Sequence, residues 1–205
     1  MMDNVQKLFG DSEGVEDFAR GYFDYVGQVT RSIDVGEIEG CVSALLKTQT
    51  QGRTVYVIGN GGSASTASHF ANDLAIGTRS IPRHSVVSLV DNVSILTAVG
   101  NDYSFDDVFV RQLQLLANPG DLLLAISVSG NSPNIMNAVD WANENGVRTM
   151  GWTGFDGGEL RKRAHAGVHV PTVPGEYGPA EDAHMLLTHL VCGYLFQAEK
   201  AKGLK

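Results

Sequence analysis

The chain has 205 residues, the size of one domain, and is 43% hydrophobic and 19% charged, enough to build a packed core and too apolar for a disordered segment. Lys and Arg total 15 against 23 Asp and Glu, a formal net charge of −8, which argues against partners that need a basic footprint, nucleic acid and anionic membrane surfaces above all. Two cysteines, Cys41 and Cys192, make neither a disulfide framework nor a zinc knuckle. No apolar run approaches the roughly 20 residues of a spanning helix. The early acids Asp3, Asp11 and Glu13 do not fit the basic-then-apolar order of a signal peptide, so a cytoplasmic protein is expected.

In chain order, Val15, Phe18, Tyr22, Val26, Val29 and Ile33 recur at steps of three and four and predict an amphipathic helix. Asp34 and Glu37 have the spacing of a capping box ahead of a second helix through Ile38, Cys41, Val42, Leu45 and Leu46. The apolar stripes of this pair suit either an oligomer contact or burial on the chain's own sheet. Five short apolar runs follow: Thr54–Ile58, Ser85–Val90, Asp121–Ile126, Arg148–Trp152 and Gly167–Pro171. Such runs suit strands covered on both faces, as in a parallel sheet. Helical patterns run from about Ser63 to Gly77, from Ser132-Pro133 to Asn145-Gly146, and from about Pro179 to Ala201. The expected fold is an α/β doubly wound, five-stranded parallel sheet of flavodoxin-like type with two leading helices. The chain reads as a single domain over 1–205, a helical pair in 1–50 and an α/β core in 54–201.

In an open parallel sheet, ligands bind beyond the carboxyl ends of the strands, so the loops that leave the strands carry the chemistry. After the first strand comes Gly59-Asn60-Gly61-Gly62-Ser63-Ala64. Glycines let a backbone approach a phosphate, and the helix that follows offers free N–H groups and a positive dipole end. The string fits the Gly-x-Gly-x-x-Gly/Ala dinucleotide pattern, but no acid ends the next strand. Asp91 lies too far on, after an inserted Arg79–His84 segment, and Gly-Lys-Ser/Thr is absent. A plain tight turn is the competing reading. After the third strand, Ser127-Val128-Ser129-Gly130-Asn131-Ser132 leads into Pro133. Ser132 is placed to cap the helix, but capping leaves Ser127 and Ser129 unexplained. Two such loops predict a phosphorylated small molecule held by neutral donors, which agrees with an acidic protein.

Gly59–Ser63, His69-Phe70-Ala71, Val99-Gly100-Asn101-Asp102 and Ser127–Ser132 together resemble the sugar isomerase (SIS) domain family, and within it the phosphoheptose isomerases, which act on sedoheptulose 7-phosphate. The likeness runs from about Val55 to the C-terminus and takes in the two leading helices. It implies an aldose–ketose isomerase forming D-glycero-D-manno-heptose 7-phosphate through an enediol, in heptose or lipopolysaccharide biosynthesis. It also implies one Zn2+ per subunit and a homotetramer with shared sites. Substrate and phosphate binding would fall to Asn60, Gly61, Gly62, Ser63, Asn101, Asp102, Ser127, Val128, Ser129, Ser132 and Glu181.

Histidines and carboxylates also gather by spacing. His69 and Asp73 stand four apart, and Glu181, Asp182, His184 and His189 fall within little more than two turns of the last helix. Such groups suit a divalent metal or proton shuttling, while a surface pair at His69–Asp73 and a packed core histidine at His184 are the plainer readings. Carried over from the isomerases, the metal set is His69, Asp73, Glu181 and His189, with Asp73 and His189 as catalytic acid–base groups. Two positions depart from the family, which has Glu where this chain has Asp73 and Gln where it has Glu181. The family's Asp-Arg ahead of that Gln is also replaced by Pro174-Gly175-Glu176-Tyr177-Gly178-Pro179-Ala180, either a border of the sugar site or a stiff connector. The rival readings are a non-catalytic phosphosugar-binding or replication-initiator-associating SIS protein acting through a partner protein, and an isomerase of a different ketose phosphate.

Overall fold

Leu122, Leu123, Leu124, Ala125 and Ile126 are all buried, so this strand is covered on both faces and helices must lie above and below it. The computed structural model, which describes residues 3–77 and 84–201, shows that arrangement. Strands β1 (Thr54–Gly59), β2 (Ser85–Ser88), β3 (Leu122–Ser127), β4 (Arg148–Thr153) and β5 (Ala166–His169) pair in parallel in the order β2-β1-β3-β4-β5. Val57 is level with Leu124, and Leu124 with Met150. Strand order reverses between β1 and β3, which opens a crevice at their carboxyl ends.

The helices are α1 (Asn4–Asp11), α2 (Val15–Arg31), α3 (Val35–Thr50), α4 (Gly62–Asn72), α5 (Val93–Asp102), α6 (Val110–Leu116), α7 (Pro133–Glu144), α8 (Gly158–Arg163) and α9 (Tyr177–Ala201). On one face of the sheet Leu45 of α3, Phe70 of α4 and Leu187 and Val191 of α9 pack on Val57, Leu124 and Trp152. Phe70 meets Trp152 edge to face with centroids 5.3 Å apart. On the other face Leu113, Ile135, Val139 and Leu160 pack on Ile58, Leu123 and Ala125. Each face therefore has its own apolar layer, as a doubly wound sheet requires.

The leading helices divide the two roles open to them. Cys41, Val42, Ala44 and Leu45 bury α3 against the sheet, whereas α2 buries only Val29 and leaves Phe23 at 72% exposure. A third helix, α1, precedes them, capped by Asp3 and Gln6 in a reciprocal box. The capping box expected at Asp34 and Glu37 is half formed. Asp34 accepts from the Gly36 N–H, but Glu37 instead accepts the His169 N–H at 2.7 Å. A backbone donor on the edge strand β5 outcompetes the helix terminus for that carboxylate.

Helices α5, α6 and α8 were not anticipated. Exposed Val93, Ile95 and Leu115 interrupt the apolar stripe that would have marked α5 and α6. The helix expected over 63–77 is α4 followed by a wider π-helical turn, Asp73–Gly77. Most of the Arg79–His84 insertion lies outside the described residues. Among the described residues no helix is long and apolar enough to cross a membrane.

Asp121, 3% exposed, joins two chain segments ahead of the sheet. One oxygen accepts the Thr54 N–H at 2.9 Å and the other the Asn118 N–H at 2.8 Å. Asp121→Ala orphans both donors and is expected to destabilise the fold by about 2–3 kcal/mol, read as a lower urea midpoint at unchanged m-value.

Candidate functional site

The loop β1–α4 and the loop β3–α7 meet at the crevice. Asn60 and Asn134 lock them together by reciprocal amide bonds, Asn60 Nδ2 to Asn134 Oδ1 at 2.8 Å and Asn134 Nδ2 to Asn60 Oδ1 at 2.9 Å. Asn60 thereby fixes the spacing of the two loops while also lining the cavity between them. Gly130 has φ +64°, and a side chain there would strike the Gly157 carbonyl, so only glycine fits this turn. Asn131 pins the same loop to α8, its Oδ1 accepting the Glu159 N–H at 3.0 Å. The cavity left between the loops, about 120 Å³, is lined by Asn60, Ser63, Ser127, Val128, Ser129, Ser132, Tyr177 and Glu181. Ser132 holds the N-cap position of α7, yet its hydroxyl makes no capping bond. The expected cap is therefore not formed, and the hydroxyl faces the cavity that Ser132 was expected to line. Among the described residues no lysine or arginine lines this cavity.

Seven to eight residues further along α4 and α9 lies a second cluster. His69 Nε2 is 3.0 Å from His189 Nε2 and 3.3 Å from Asp73 Oδ2. The three residues bring one ligand atom each within 4.8 Å of one another. Asp73 opens the π-helical turn, a feature that recurs at functional sites because it re-aims side chains within a helix. The imidazole contact requires either that one ring donate or that both lone pairs face a shared cation. Two imidazoles and a carboxylate are a donor set suited to zinc.

Glu181 is not in this cluster. Eight residues separate it from His189, about 12 Å along a helix. Its carboxylate instead sits over Gly62, whose missing side chain leaves it room, and it lines the serine cavity. Burial, and then the charge of Asp182, raise its carboxyl above the ordinary range. Asn101 and Asp102 end α5, exposed and bonded to each other at 2.8 Å, and line neither the serine cavity nor the metal cluster. His184 is a core residue. It is fully buried beside Trp152, with Nε2–H donating to the Thr153 carbonyl at 3.3 Å.

Two further residues stand at the site, Asp91 and Tyr177, the latter in the segment that the sequence left open as a border of the sugar site or a stiff connector. Asp91, set aside as misplaced for a ribose contact, lines an open cleft with Ser65, Ser68, His69 and Asn72. Tyr177 walls the serine cavity and rests its ring on Phe155, centroids 4.9 Å apart. Phe155 has φ +50°, a left-handed backbone rare outside glycine and frequent where strain is held at a site.

With this geometry in place, comparison with known proteins is decisive. Residues 21–154 match the model of the SIS domain. The chain belongs to the SIS domain family. Among its relatives is the phosphoheptose isomerase of Pelobacter propionicus, 41% identical over 156 residues, 75% of this chain and 81% of the relative. That of Geobacter sulfurreducens is 40% identical over 159 residues, 77% and 82% of the two chains. The solved phosphoheptose isomerase of Neisseria gonorrhoeae superposes with a TM-score of 0.80 at 29% identity, covering 90% of this chain and all of that one, 100%. The SIS domain thus has the five-stranded α/β fold of those enzymes.

Burial holds His184, and likewise His84, at a pKa of about 4 against an ordinary 6.5. Both are neutral in the fold and take up a proton on unfolding, so their stability is intact above pH 6.5 and is lost as pH falls from there towards 4. Each is expected to cost about 2 kcal/mol between pH 7 and pH 5. Urea midpoints across that range should show it, and His184→Gln should remove about half of the slope.

Proposed function

We propose that this SIS domain is a phosphoheptose isomerase, interconverting sedoheptulose 7-phosphate and D-glycero-D-manno-heptose 7-phosphate through an enediol. The observation that carries the reading is the alignment of a cation-free serine cavity with the His69–Asp73–His189 cluster, about 10 Å apart along α4. That separation suits a seven-carbon sugar with its phosphate at one end and its reacting carbons at the other. The relatives named phosphoheptose isomerase support the same substrate.

Ser63, Ser127, Ser129 and Ser132, with the N-terminal N–H groups of α4 and α7, hold the phosphate. Binding energy gained there fixes the far end of the sugar against Asp73. Asp73 removes the proton from the carbon next to the carbonyl and returns it to the neighbouring carbon, while His189 moves the hydroxyl proton between the two oxygens. His69, Asp73 and His189 fit a Zn2+ ion, which when bound would polarise those oxygens as a Lewis acid. Glu181 stays with the phosphate end of the sugar. The reading carries with it a cytoplasmic homotetramer of single-domain subunits, for which exposed Leu186, Leu190 and Tyr194 on α9 offer apolar surface.

The Gly- and Pro-rich approach to α9 puts Tyr177 into the cavity wall and favours one second reading, the same chemistry on another ketose phosphate. NMR in D2O with sedoheptulose 7-phosphate separates the two. Deuterium entering a heptose 7-phosphate product supports the first reading, and exchange only with a different ketose phosphate supports the second.

Asp73→Asn is expected to reduce kcat at least 10³-fold while phosphosugar binding stays measurable by calorimetry. Unchanged turnover would remove Asp73 from the role of base. Ser129→Ala with Ser132→Ala should raise KM about tenfold with a smaller effect on kcat, since each hydroxyl meets the phosphate in ground and transition states alike. Dialysis against a chelator should lower turnover, with recovery on adding Zn2+ and a stoichiometry near one ion per subunit by elemental analysis.

A further inference from the structure

Glu176 is the most enclosed carboxylate among the described residues, 2% exposed, in the turn before α9. Its partners are neutral. Oε1 accepts the Asn4 N–H at 2.6 Å, and Oε2 accepts the Val173 N–H at 3.0 Å and the Tyr25 hydroxyl. Asn4 Nδ2 closes the network by donating to the Tyr25 oxygen at 2.9 Å. A carboxylate withdrawn from water is tolerated only where donors are aimed at it, and such charge-assisted bonds are roughly twice as strong as neutral ones. Here they tie together three segments remote in sequence: the first turn of α1, the middle of α2, and the turn 173–176.

What that turn delivers is the wall of the serine cavity. Tyr177 follows Glu176 directly and Glu181 stands about one helical turn beyond it, and both line the cavity. One turn before Tyr25 on α2, the Tyr22 hydroxyl donates to Asp182 at 2.7 Å. The helical pair α1–α2 thus grips the start of α9 on both sides of the lining residues. Gly175 at φ +104° and the preceding Pro174 give this turn a shape that the chain does not hold by helix or strand bonding.

We propose that Glu176 is a positioning residue, the catch by which α1 holds Tyr177 and Glu181 against the serine cavity, so that affinity for the phosphorylated ligand depends on a helix that never touches it. The inference rests on the phosphate-binding reading of that cavity. It extends that reading to residues 4–11, which no chemistry at the crevice requires.

Helix α1 allows a test that leaves the fold intact. Asn4 is the first helical residue, where proline is well tolerated, and Asp3 at φ −73° and ψ 170° already has the extended backbone that precedes proline. Asn4→Pro keeps α1 and deletes the N–H that Glu176 accepts, whereas Asn4→Ala keeps that N–H and loses only the side-chain bond to Tyr25. The readouts are KM and kcat for sedoheptulose 7-phosphate and the Kd of inorganic phosphate, with thermal melting to confirm folding. Asn4→Pro should raise KM and Kd about fivefold with kcat within about twofold, Asn4→Ala should change them by about twofold or less, and Glu176→Ala should exceed both. Wild-type constants in Asn4→Pro, or a fall in kcat at unchanged KM, would overturn the catch while leaving the site reading standing. A wild-type protein that binds neither phosphate would take away the site reading and the catch with it.

Discussion

Helices α4 and α9 run side by side in the same direction, and the site follows from that pairing. Ala67, Phe70 and Ala71 of α4 and Ala183, Leu187 and Val191 of α9 share one apolar layer over the sheet. With small residues at the contact the axes can approach closely, and corresponding turns fall level. Gly62 then meets Glu181 at one end, and His69 meets His189 two turns on. The serine cavity and the histidine–aspartate cluster are therefore held at a set separation by hydrophobic packing. Neither depends on a long flexible loop.

The serine cavity is lined, among the described residues, by hydroxyls and a carboxylate and by no lysine or arginine. A dianion held without lysine or arginine must be met by hydroxyls and by helix N-termini, whose N–H groups are directed and already desolvated. The reciprocal Asn60–Asn134 pair sets the distance between the two loops that provide them. Neutral donors also suit an enzyme that must release a phosphorylated product. A carboxylate at Glu181, facing the same cavity, moves that balance further from tight anion binding. Its raised pKa reflects the same partial burial.

Much of this was legible from residue order. The five apolar runs became five strands, with edges displaced by a residue or two: β1, β3 and β4 are covered on both faces and leave a continuous apolar signature, while the more exposed edge strands β2 and β5 are marked by their short β-branched runs. The serine loop was legible because three hydroxyls in one turn exceed what capping α7 requires, although in the fold Ser127 and Ser129 also brace the turn by accepting the Gly130 and Asn131 N–H groups at 3.2 and 3.3 Å. The helices α5, α6 and α8 were not, because short helices on a partly exposed face show no clean 3.6-residue stripe. Glu37 misled for a related reason: a capping pattern records what a side chain can do locally, while an unpaired N–H on an edge strand, 132 residues away, offered the better partner.

Read alone, the sequence settled the layered α/β class, the two loops and the candidate histidines and carboxylates, since each depends on local pattern or on fixed spacing along a helix. Only the folded chain decided their grouping. It gathered His69, Asp73 and His189 and set the Glu181 carboxylate over Gly62 in the serine cavity, because the glycine leaves room there, at the other end of the α4–α9 pairing from His189. It also buried His184 and freed the Ser132 hydroxyl. Burial and hydrogen-bond partners are properties of distance in space, and separation along the chain carries little information about them.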